Sequence, residues 1–63
     1  MTQVGDRIEL VRCSDPYTRL VPGTRGTVKL IDSLGTVHVE WDDGSQLGLV
    51  RQDGDSWHVV REI

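Results

Sequence analysis

The stretch "GTVHVEWDDGS", residues 35–45, limits the fold more than any other part of the chain. Val37, Val39 and Trp41 fall on alternate positions, with His38 and Glu40 between them. Apolar residues spaced by two line one face of a strand, and Asp-Gly after such a run is a strong hairpin signal. The same spacing recurs in Ile8 and Leu10, in Val28 and Leu30, in Leu47 and Leu49, and in Trp57 and Val59. No stretch carries a helical period over ten residues. "DSLG" at 32–35, "DDGS" at 42–45 and "RQDGD" at 51–55 punctuate the runs as tight turns. The one long connection runs from about Ser14 to Gly23 and holds both prolines. The pattern predicts strands at 6–13, 25–31, 36–41, 46–50 and 56–61.

At 63 residues the chain has room for one domain, spanning 1–63, with a small core. Five short antiparallel strands with a long first loop and three tight turns give an all-β fold, a small five-stranded SH3-like antiparallel barrel. An oligonucleotide-binding-type barrel ranks second, since it normally needs a longer chain and a helix between its third and fourth strands. Gly26 and Gly48 lie inside strand patterns, where glycine marks a bulge, a corner or a close backbone approach. The expected core is Ile8, Leu10, Val28, Leu30, Val37, Val39, Trp41, Leu47, Leu49, Trp57 and Val59. Trp41 and Trp57 read as core residues; the alternative places one in a groove with its indole N–H offered to a ligand. Val11, Ile31, Val50, Val60 and Ile63 are out of phase with that core. They are expected either as a second cluster under the long loop or as an apolar patch for association.

Several chemistries lack the residues they require. Cys13 is the single cysteine, so no internal disulfide forms, and a reducing, cytosolic setting is the default. Cys13, His38 and His58 fit neither zinc-finger spacing nor a cysteine-hydrolase order, so no enzyme, metal or cofactor is expected. Asp42-Asp43 and Asp53…Asp55 read as turn acids, because a calcium loop needs oxygens at alternate positions across about twelve residues. "GTRG" lacks the lysine and the helix of a phosphate loop. No small-molecule substrate is predicted. The longest apolar run is two residues, too short for a membrane-spanning helix. The N-terminus has no apolar signal region, and the chain reads as a complete small protein.

The formal charge is −3, unevenly spread. Residues 1–31 hold five basic groups (Arg7, Arg12, Arg19, Arg25, Lys29) against three acids; residues 32–63 hold two against seven. The asymmetry reads first as chance plus solvation of the turns; the sharper reading is a molecule with one positive and one negative side, which would orient a partner or let copies meet head to tail. The loop "DPYTRLVPGTRGTV", residues 15–28, is stiffened by Pro16 and Pro22, with a type II turn expected at Pro22-Gly23. Tyr17 and Arg19 are residue types that concentrate binding energy. Tyr17, Arg19 and Arg25 are therefore the candidate partner-binding residues, for another protein or a second copy of the chain. The competing placement makes Tyr17 a lid over the barrel end and pairs Arg19 with an acid such as Asp15. The alternative function is nucleic-acid binding through Arg7, Arg12, Arg19, Arg25 and Lys29; a third is a small structural subunit of a homo-oligomer.

"VGDRIEL", "DPYTRLVPGTRGTV", "GTVHVEWDDGSQLGL" and "DSWHVV" together resemble a family of very short proteins catalogued as a domain of unknown function. The family is met in actinobacterial genomes, mobile elements and bacteriophages, and the resemblance spans roughly residues 4–60. It implies a phage or mobile-element origin and a cytoplasmic life in an infected bacterium, and it implies no activity. "PGTRGTVKLID…GTVHVEW" is also similar to the KOW motif, in which a barrel loop contacts RNA or a protein. This chain departs from such RNA binders in lacking a concentrated Lys/Arg stripe.

Overall fold

Alternating apolar side chains give each strand one oily face, and that face must be covered. The computed structural model describes residues 2–13 and 20–60 and shows how. Strands β1 (Arg7–Arg12), β2 (Arg25–Ile31), β3 (Val37–Trp41), β4 (Gly48–Leu49) and β5 (Ser56–Val59) form one antiparallel sheet in the order β4-β3-β2-β1-β5. A 3-10 turn, Arg51–Asp53, links β4 to β5. The all-β, five-stranded antiparallel architecture is the expected one, with β4 shorter than anticipated. Among the described residues no α-helix covers the apolar face. The sheet therefore curls on itself, barrel-fashion, around Ile8, Leu10, Val28, Val37, Val39, Trp41, Leu49 and Trp57.

Both β2–β3 and β3–β4 turns follow one plan. Gly35 N–H donates to Asp32 O at 3.0 Å, and Gly44 N–H donates to Trp41 O at 2.9 Å. Each of these glycines has a left-handed φ, 85° and 92°, which lets the chain re-enter the ladder after the turn. Pro22-Gly23 makes the expected turn, with Thr24 N–H donating to Val21 O at 3.1 Å.

Three core expectations need correction. Leu30 is 54% exposed. Val28 pairs with Val39, but Leu30 already pairs with His38, so Lys29 is an extra residue in β2. This bulge turns Lys29 and Leu30 both outward and brings Ile31 inward against the core. Val59 is 37% exposed, because β5 is an outer strand with a neighbour on one side only. Leu47 packs against the core without being buried. In the other direction, Leu20 at the end of the long connection is buried in the core.

A second register shift lies in β1. Leu10 pairs with Trp57 and Arg12 with Ser56, so Val11 and Arg12 both face solvent and Cys13 returns to the core side. Of the remaining out-of-phase residues, Ile31 joins the core and Val50 and Val60 are half-buried. Ile63 lies outside the described residues.

Gly26 fixes how closely β2 and β3 approach. A Cβ there meets Val39 Cγ1 at 2.6 Å, Glu40 O at 2.9 Å and Trp41 Cε3 at 2.9 Å. The Trp41 ring occupies the space a side chain would fill, so Gly26→Ala forces the ring or the β3 backbone away. Overpacking of this kind costs about 1–3 kcal/mol. Leu30→Ala removes an exposed side chain and is expected to change stability by less than about 0.5 kcal/mol. Urea unfolding of the two variants beside the wild type measures both, and equal losses would contradict the described bulge.

Candidate functional site

The outward positions of β1, β2, β3 and β5 alternate in charge. Arg7 reaches across β2 and grips Asp42 with two N–H···O bonds of 2.8 and 2.5 Å, and it also donates to Thr27 Oγ1 at 3.0 Å. Glu9 stands opposite Arg25 on one side and His58 on the other. It accepts from Arg25 Nε at 3.1 Å and sits 3.1 Å from His58 Nε2. Lys29 Nζ lies 3.4 Å from Glu40. Cross-strand pairs of opposite charge are the ordinary cement of an exposed sheet face.

This arrangement locates the sequence-predicted residues. Arg7, Arg25 and Lys29 share the outer face, each beside a carboxylate. Arg12 is exposed beyond the β1 bulge, with no ion pair among the described residues. Tyr17 and Arg19 lie outside the described residues. Arg25, the third candidate partner-binding residue, is the first residue of β2, where the expected strand at 25–31 begins.

A different feature emerges at one end of the sheet. The β2–β3 turn, the 3-10 turn and the Trp57 side chain enclose a groove of about 390 Å³. Its floor is apolar, from Ile31, Val37, Val50 and Trp57, and Leu34 and Arg51 flank it. Local chemistry holds each wall. Asp32 Oδ1 accepts from the N–H groups of Leu34 at 2.9 Å and Thr36 at 3.0 Å, while His38 Nε2–H donates to Asp32 Oδ2 at 2.9 Å. The turn is thereby pinned with Leu34 projecting, 87% exposed. On the opposite wall, buried Asp55 accepts from Val50 N–H at 2.9 Å and fastens the start of the 3-10 turn.

Both indoles are turned inward. Trp41 Nε1–H donates to Leu47 O at 3.0 Å and Trp57 Nε1–H to Thr2 Oγ1 at 2.9 Å. Trp57 is 6% exposed yet forms part of the groove lining. The two readings of the tryptophans are thus combined in Trp57, except that its N–H is held within the protein. The groove itself was not visible in the pattern of alternation. Leu34 reads as a turn residue, and Arg51 and Val50 read as flanks of the last corner.

The sequence matches the family described as a domain of unknown function (DUF4314) over residues 2–60, and the chain belongs to that family. No curated protein and no solved structure matches it.

Two carboxyls tie this surface to pH. His38 first, and then the Thr36 N–H, hold the Asp32 carboxyl below the usual range; the Arg7 guanidinium does the same for Asp42. A carboxyl lowered by folding stabilises the fold fully above its unfolded-state value of about 4. That contribution disappears as pH falls through the lowered folded value. Combined Asp32→Asn and Asp42→Asn substitution is therefore expected to flatten the loss of stability as pH falls below about 4. Urea unfolding at stepped pH measures the slope; an unchanged slope would show that neither carboxyl matters.

Proposed function

We propose that this DUF4314 member is a non-catalytic protein-interaction module whose barrel-end groove receives apolar side chains of a protein partner. The observation that carries the reading is Leu34, held 87% exposed beside an apolar floor by a turn that Asp32 fastens at three points. A large aliphatic side chain fixed in water beside a concave apolar surface is the usual form of an interaction site. The family resemblance adds a setting: an accessory protein of a phage or mobile element, meeting a host protein or its own copies in the bacterial cytoplasm.

Nucleic-acid binding through the basic half is less well supported. Arg7, Arg25 and Lys29 already face Asp42, Glu9 and Glu40, so a phosphate backbone must compete with internal carboxylates for them.

Leu34→Ser tests the groove, since an exposed turn side chain is removed with less than about 0.5 kcal/mol of destabilisation. Affinity capture from a bacterial host lysate is expected to recover a protein with the wild type and to lose it with Leu34→Ser. A Tyr17→Ala, Arg19→Ala variant run in parallel tests the loop at 14–23. Equal recovery by wild type and Leu34→Ser would remove the groove from the function.

A further inference from the structure

The groove has one charged side chain in its lining, Arg51. Arg12 and Arg51 are the two described cations with no ion pair among the described residues, and of the two only Arg51 lines the groove. Arg7, Arg25 and Lys29 each lie beside a carboxylate, whereas the Arg51 guanidinium lies over Trp57, its Cζ 4.2 Å from the ring centroid. Stacking uses the flat face of a guanidinium and leaves its N–H fork directed outward in the plane. Among the described residues no carboxylate pairs with that fork. The guanidinium thus lies against the indole, in the same lining as Ile31, Val37, Val50 and Gln52.

The same stacking weighs against a nucleobase. The Trp57 ring carries Arg51 and its N–H is bonded to Thr2, so the ring is not presented for base stacking. One cation is also a poor match for a run of phosphates. It is a good match for one carboxylate, which a guanidinium fork binds through two parallel bonds. At about 390 Å³ the groove sits at the lower end of ligand pockets and suits a few residues of extended chain.

We propose that the groove recognises a short, extended, acidic–apolar segment of a partner protein. An aliphatic side chain of that segment lies on the Ile31, Val37 and Val50 floor beside Leu34. An aspartate or glutamate one or two residues away accepts the two N–H groups of Arg51. This inference rests on the interaction reading above and adds the chemistry of what is bound.

A random peptide library displayed on ribosomes and selected against the immobilised full-length protein tests it, with Arg51→Gln and Leu34→Ser as parallel baits. The wild type is expected to enrich peptides with Asp or Glu within two positions of Leu, Ile, Val or Met. Arg51→Gln is expected to keep the aliphatic preference and lose the acidic one. By titration calorimetry, the best selected peptide is expected to bind Arg51→Gln about three- to tenfold more weakly than wild type, as for a partly exposed bidentate pair. Replacing the peptide's acid by its amide should cost the wild type a similar factor and Arg51→Gln nothing further. Arg51→Lys keeps a cation over the indole and serves the same purpose if the glutamine variant unfolds; it is expected to bind more weakly than wild type because it has no fork. Aliphatic peptides without an acid, lost in Leu34→Ser, would overturn the role of Arg51 and leave the groove as an interaction site. Peptides indifferent to Leu34→Ser, or no enrichment over bare support, would overturn both. Self-association in sedimentation that Leu34→Ser abolishes would replace the acidic segment with a second copy of the chain.

Discussion

One sheet with one apolar face and no covering layer among the described residues has a single way to exclude water from that face, which is to bend around it. Everything else in this molecule follows from the bending. Five short strands cannot coil so tightly with ideal ladders, because each core side chain would collide with the backbone across from it. Two departures from regularity relieve the crowding. Gly26 has no Cβ where Trp41 lies, and extra residues in β1 and β2 let those strands turn more sharply than an ideal pleat does. The same bulges send Val11 and Leu30 outward, so exposure of apolar groups is a by-product of curvature before it is anything functional.

The two surfaces that result have different characters. The convex outer face carries long side chains of both signs in register, and Glu9 binds Arg25 while also facing His58. Its charges are largely answered from within. The open end of the curled sheet cannot be answered in that way. There the core approaches the surface, Trp57 reaches the groove, and the neighbouring turns arch over an apolar floor. Charge that is locally neutralised contributes little to recognition by distant fields, whereas a partly covered apolar surface retains a reason to associate.

Strand number, strand positions and most of the core were readable because a period of two is a direct geometric consequence of the pleat. Val37, Val39 and Trp41 follow it without exception. The failures occur where the period breaks. Nothing in "GTVKLID" distinguishes Lys29 as the extra residue, because Leu30 and Ile31 are equally suited to the interior and only pairing with β3 decides between them. Leu20 was missed because the alternation that identifies strand residues says nothing about a loop side chain folded back into the core. The groove was unreadable for a related reason. Its residues come from the β2–β3 turn, the 3-10 turn, β5 and the N-terminal segment, and only closure of the sheet brings Leu34, Arg51 and Thr2 near one another.

The indoles have a consequence beyond packing. The chain has two tryptophans, one tyrosine and no phenylalanine. Trp41 is sealed inside with its N–H on a carbonyl, while Trp57 lines the groove beneath the Arg51 cation. Light absorbed near the red edge therefore excites two chromophores in unlike surroundings, one enclosed by the core and bonded to a carbonyl, the other lying against a guanidinium. A change in charge at the Arg51 guanidinium is therefore expected to alter the emission of one indole and leave the other as it was, without any label attached.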